Sequence, residues 1–218
     1  MKNFNFKLLC IYILSCVTLS AQTDQNGQPY VDDSTSKFSI VAYGGVGYAV
    51  MDNEDQPDYN LDANTVDILV HYTIGTRWGL ATGLGFNQLS GNGFDNVGTN
   101  FYHERSTLKI PLLLSGNYNI SPKVRLVANI GLYAQTIIKD DFSFAGGITN
   151  GDIYEGWNFG LQSGIGMSYN FDEKISLGIL FNTQGDFNRF DTADDVGITN
   201  SQRTRSVNTV GLLFTYNL

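Results

Sequence analysis

Alternation with a period of two constrains this chain most. Residues 205–218 show it plainly. Val210, Leu212, Phe214, Tyr216 and Leu218 fall on one face of an extended chain, and Thr209, Gly211, Leu213, Thr215 and Asn217 on the other. Unpaired, such a strand would be an aggregation template. It makes sense as the closing strand of a barrel whose outside is lipid.

The same alternation recurs seven times before it, over residues 38–50, 64–74, 78–89, 102–118, 123–138, 155–169 and 175–185. Each stretch has about the ten residues that a tilted strand needs to cross a bilayer. The connections alternate in length: 75–77, 119–122 and 170–173 are tight, whereas 51–63, 90–101, 139–154 and 186–204 are long. Aromatic residues sit at both ends of the apolar faces. Trp78, Tyr118, Tyr169, Phe171 and Tyr216 lie near the short turns, and Tyr48, Phe86, Trp157 and Phe181 near the long connections. The pattern predicts an all-β, eight-stranded antiparallel up-and-down transmembrane β-barrel over 37–218, with both ends on the short-turn, periplasmic side.

Residues 1–21 read as a signal peptide, with Lys2 and Lys7 before a short apolar run and Leu19-Ser20-Ala21 ahead of a cut at Gln22. A rival reading takes Ile13-Leu14-Ser15-Cys16 as a lipoprotein cleavage box. Residues 22–36 are polar and read as a flexible periplasmic leader. Both cysteines, Cys10 and Cys16, lie in the signal, so thiol chemistry and Cys-based metal sites are excluded from the mature chain. Removing the signal takes two lysines and moves the net charge from −8 to −10. With no basic stripe, nucleic acid is not an expected partner.

The inward face carries Asp67, His71, Arg105, Lys109, Arg125 and Arg205. An eight-stranded barrel is just wide enough for side chains to fill it. These six are therefore read as a side-chain plug, with Asp67 paired to Arg105, Lys109 or Arg125, and with inward glycines making room for the arginines. Pro111 cannot donate to a ladder, which predicts a bulge or kink there. The long connections are acidic and read as solvated extracellular loops, without the spaced calcium-loop pattern. Gly45-Val46-Gly47 lacks dinucleotide-binding spacing, and no cofactor is expected. His71 is placed inward and His103 at the loop rim beside Glu104 and Ser106, which is thin support for an enzyme.

Residues 37–218 resemble the small eight-stranded outer-membrane β-barrel family, OmpX- or OmpA-like in architecture and PorT-like in sequence flavour. The likeness rests on Leu108-Lys109-Ile110-Pro111-Leu112-Leu113-Leu114, on the Leu19-Ser20-Ala21-Gln22 junction and on the terminal strand. It implies outer-membrane location, lipid contact, and a last strand (Val210, Leu212, Phe214, Tyr216, Leu218) read by the barrel assembly machinery. Leu218 stands where such strands usually end in Phe. The expected function is a non-enzymatic structural or interaction protein with acidic extracellular loops, a protein partner at those loops, and a role assisting a surface or secretion machinery. A narrow porin-like channel is one alternative. A soluble lipocalin-like barrel is another; it would put the apolar face inward.

Overall fold

The computed structural model describes residues 37–144, 149–151, 153–192 and 200–218. The signal and leader, and Asp152, Asp194 and Asp195 of the acidic connections, lie outside them. In chain order the strands are β1 (Phe38–Asn53), β2 (Tyr59–Thr73), β3 (Trp78–Phe94), β4 (Asn100–Asn119), β5 (Val124–Phe144), β6 (Thr149–Gly151), β7 (Tyr154–Glu155), β8 (Trp157–Asn170), β9 (Ile175–Asp186), β10 (Asp191–Thr192) and β11 (Gln202–Asn217). Eight of them form a closed antiparallel ring in the order β4, β3, β2, β1, β11, β9, β8, β5, with β5 pairing back onto β4. The terminal strand closes it: Tyr216 opposes Ile40 of β1, and Phe214 opposes Leu177 of β9.

Hydrophobicity is inverted relative to a soluble protein. Val46, Ile68, Ile179 and Leu212 are about 60% exposed, while Arg105 and Lys109 are fully buried. A soluble ligand-holding barrel would show the opposite, so the lipocalin alternative is set aside. All five terminal-strand residues face out, with Tyr216 half-buried. The apolar belt ends near Tyr48, Val66, Phe86 and Trp157. Beyond it the strands run on as a polar collar, where Asp62 opposes Ser90 and Ser90 opposes Glu104. Much of what reads as long loop is therefore strand. The first two long connections shrink to 54–58 and 95–99. Lipid-facing alternation stops at the belt, but backbone pairing does not need an apolar face.

Two bulges reset the alternation. Val50 opposes Ser206 and Met51 opposes Thr204, so Arg205 is the extra residue on β11. Ser106 opposes Lys139 and Thr107 opposes Ile137, so Ile138 is the extra residue on β5. An inserted residue flips everything beyond it to the other face. Arg205 consequently points outward, its side chain 62% exposed and 3.7 Å from Asp58. It is not a lumen residue, contrary to the uninterrupted count from the chain end. No bulge sits at Pro111, which keeps register opposite Tyr133 of β5. On the β3 side the ladder skips Gly83 and Leu84 between the pairs Thr82–Leu112 and Gly85–Lys109. The missing N–H is absorbed as a gap in pairing, and Thr82 Oγ1 donates to the Pro111 carbonyl at 2.8 Å.

Candidate functional site: the barrel lumen

The lumen is filled in layers. Nearest the short turns, His71 Nε2 and Ser115 Oγ are 2.6 Å apart. Arg125 is half-buried on the inward face of β5 and acts electrostatically on His71. Above them lies an apolar layer of Tyr43, Leu69, Ala81, Leu113, Leu180 and Leu213.

The central layer crosses the barrel. Lys109 Nζ lies 3.0 Å from Asp67 Oδ1. It also donates to Gln162 Oε1 at 2.9 Å and Gln184 Oε1 at 2.8 Å. Gln162 Nε2 in turn donates to Asp67 Oδ2 at 3.1 Å. These four residues come from β2, β4, β8 and β9, so a single ammonium ties opposite walls together. Of the three cations expected as partners for Asp67, Lys109 is the one placed on it.

Glycine opposite this pair is a steric requirement. A Cβ on Gly85 would lie 2.2 Å from Asp67 Oδ1 and 2.6 Å from Lys109 Cε. Likewise a Cβ on Gly45 would meet Tyr43, and one on Gly160 would meet Tyr133. Glycines expected to accommodate arginines instead accommodate Tyr43, Tyr133 and this ion pair. Gly85→Val should therefore cost about 1–3 kcal/mol in urea unfolding. Gly44→Ala should be close to neutral, because nothing lies within 4 Å of that Cβ position.

A further chain of hydrogen bonds runs around the wall through Thr65, Asn87, Thr107 and Gln135 to Asp186. Asp186, expected in an acidic loop, is buried at the end of β9. It accepts from Tyr133 Oη at 2.6 Å, Gln135 Nε2 at 2.8 Å and the Thr204 N–H at 3.0 Å.

The collar holds a second ionic cluster, beyond the lipid belt. Arg105 Nε and Nη2 donate to Asp140 at 2.7 and 3.0 Å. Its guanidinium carbon is 5.1 Å from the Tyr154 ring centroid and 5.7 Å from that of Phe190. His103 is fully buried rather than at a rim. It stacks on Phe142 with centroids 3.9 Å apart, and its ring nitrogens meet Asp140 Oδ1 at 2.8 Å and Tyr59 Oη at 2.9 Å. Burial, aided by Arg105, pushes the His103 imidazole down to about 4. A neutral ring then donates from Nε2 to Asp140 and accepts from Tyr59 at Nδ1. Burial pulls the Asp140 carboxyl upward, but Arg105 and the hydrogen bonds prevail and hold it at about 2.

Alternation alone could not find Asp140, because the Ile138 bulge brings it inside. The sequence signal for Gln162 was present, as an inward polar residue of the sixth alternating stretch. Among the described residues, no group of acids and histidines could hold a metal ion.

An apolar belt outside and a packed polar lumen inside define a transmembrane β-barrel. Residues 10–214 match the family model for the outer membrane protein beta-barrel domain, and the chain belongs to that family. It is an outer-membrane protein that crosses the bilayer with strands. The solved structure of neisserial surface protein A is similar: 14% identity, 84% of this chain and 98% of that chain covered, TM-score 0.51. At that identity the likeness concerns the fold. A major outer membrane protein from Thermus thermophilus (13% identity, 82% and 99% coverage, TM-score 0.48) also resembles it. So does Ail, the attachment invasion locus protein of Yersinia pestis (13%, 83% and 99%, 0.41). No curated protein matches the chain.

Proposed function

We propose that this barrel is a non-conducting, non-enzymatic outer-membrane protein of structural or interaction type. The supporting observation is the central layer, where Lys109 reaches from β4 to Asp67, Gln162 and Gln184 across the lumen. A path for solutes would have to break that contact, whose charged partner is buried with it. Liposomes carrying the purified protein should swell in small sugars no faster than empty ones. Swelling that depends on the protein would sink the proposal.

The short-turn end faces the periplasm, and the collar faces outward as the contact surface. Phe94, Val97 and Tyr102 are 58%, 86% and 45% exposed there, beyond the lipid belt. They rise above the carboxylates of Asp62 and Glu104, a mixed apolar and acidic surface suited to a protein partner. This is where a surface or secretion machinery, as in a PorT-like role, would engage. Catalysis is disfavoured because both histidines are buried and hydrogen-bonded. Residues 1–21 are removed on export in this proposal, leaving 22–36 as a periplasmic leader. Sequencing the envelope protein from its N-terminus should begin at Gln22.

A further inference from the structure

We propose that the outer face of the collar over β2 to β5 is a docking surface for a cationic protein partner. Beyond the lipid belt β3, β4 and β5 stay paired out to Phe94–Asn100 and Phe101–Phe144. Their outward residues form rows. In the row nearest the belt Asp62 opposes Ser90, Ser90 opposes Glu104, and Glu104 opposes Asp141. In the next row Tyr102 stands between Asn92 and Ser143. Above it Phe94 opposes Asn100, diagonal to Tyr102, and the β3–β4 turn carries Val97, which is 86% exposed. Carboxylates therefore edge the patch below and apolar side chains fill it above. The inference rests on the collar being the contact surface, and adds which arc is used and what it takes.

Charge is distributed unevenly around the collar. On this arc, among the described residues, the row of three carboxylates meets one ammonium: Lys139 lies 3.0 Å from Glu104 and 3.3 Å from Asp141. The arginines stand on the β11 side, against carboxylates of their own. Arg189 and Arg203 share Asp52 at 2.8 and 2.7 Å, and Arg205 lies 3.7 Å from Asp58. The β2–β5 face is thus left with an excess of negative charge beside exposed rings. A basic partner gains charge pairs at the lower row, and its arginine or lysine side chains can also lie over the Tyr102 and Phe94 rings.

The face is also rigid, which spares a partner the entropy of ordering it. Asp95 Oδ1 accepts from the Val97 N–H at 3.0 Å and the Thr99 N–H at 2.7 Å, fixing the turn, and Gly98 supplies its positive φ of 81°. The Asn96 N–H donates to Gln56 Oε1 at 3.0 Å, joining this turn to the β1–β2 connection. On the inner side of the same strands Phe101 and Phe142 pack with centroids 5.6 Å apart. Apolar side chains held out to water on so firm a support mark a contact surface.

The test is photocrosslinking in intact cells that carry the full chain, with a photoreactive phenylalanine analogue in place of Asn92, beside Tyr102. Adducts are normalised to folded barrel by heat-modifiable gel mobility, and the crosslinked peptide is sequenced. The expected result is one protein adduct whose crosslinked segment carries more Lys and Arg than Asp and Glu. Its yield should fall about fivefold or more in Asp62→Asn/Glu104→Gln, and likewise in Phe94→Ser/Tyr102→Ser. Asp172→Asn/Glu173→Gln, an equal change of charge at the short-turn end, should leave it unchanged. A protein adduct on an acidic segment, or one indifferent to Asp62→Asn/Glu104→Gln, overturns this inference and leaves the contact surface standing. So does an adduct between two copies of this chain. Crosslinking to glycolipid alone, or no adduct, overturns the protein-contact reading of the collar and this inference together.

Discussion

Asp67→Ala is expected to destabilise the barrel by about 3–5 kcal/mol. The Lys109 ammonium is fully buried and has one carboxylate among the described residues, at 3.0 Å. Removing that carboxylate leaves a charge in a low-dielectric interior, where Gln162 and Gln184 supply only neutral oxygens. Asp67→Asn should cost less, because the amide oxygen can still accept. The pair Asp67→Leu with Lys109→Met should recover most of the loss, since well-packed apolar groups can replace a buried ion pair at little cost. The readout is urea unfolding from vesicles, followed by the fluorescence of Trp78 and Trp157, both on the lipid face. A single variant within about 1 kcal/mol of wild type, by the same scale, would mean that the central pair is not what fills the lumen.

The collar cluster should respond about as strongly. Asp140→Ala takes the carboxylate from Arg105 and His103 at once, with an expected loss of about 3–5 kcal/mol. The cluster also predicts an acid response with a defined sign. His103 in the folded barrel titrates at about 4, below the about 6.5 of a free imidazole. Between those values the unfolded chain binds a proton that the folded chain does not, so stability falls as the pH is lowered. At about 1.4 kcal/mol per pH unit the window is worth on the order of 3 kcal/mol. Asp140 adds a second loss, from the ordinary carboxyl range near about 3.9 down to about 2. His103→Gln should erase the upper window and leave the lower one. An unfolding profile unchanged by His103→Gln between pH 7 and 4 would contradict the neutral, buried histidine.

Strand number, order and the outward face were legible because a lipid-facing strand must be apolar at every second position. Val210 to Leu218 carry that signal without interruption. Two things were not legible. Past the belt, β2 begins at Tyr59 and β3 runs to Phe94, where the outer face is polar and the pattern no longer distinguishes strand from loop. The bulges at Arg205 and Ile138 add a residue that no composition marks, and each inverts the facing of its neighbours. Uninterrupted alternation puts Arg205 inside and Asp140 in the 139–154 connection, whereas Arg205 faces out from β11 and Asp140 faces in from β5. Lys109 and Asp67 were readable as inward charges, since no bulge lies between them and the belt. Their four-residue network was not, because Gln184 and Gln162 come from strands far along the chain, β9 and β8. Pro111 shows a similar limit: the lost donor is certain from sequence, but whether the ladder bulges or merely skips depends on what β3 places opposite it.

Single-channel recording of the purified wild-type barrel in planar bilayers tests the central claim most directly. The packed lumen predicts a flat baseline at moderate voltage, with no stable conductance steps. Reproducible steps from folded, heat-modifiable protein would contradict a lumen closed by Lys109, Asp67, Gln162 and Gln184.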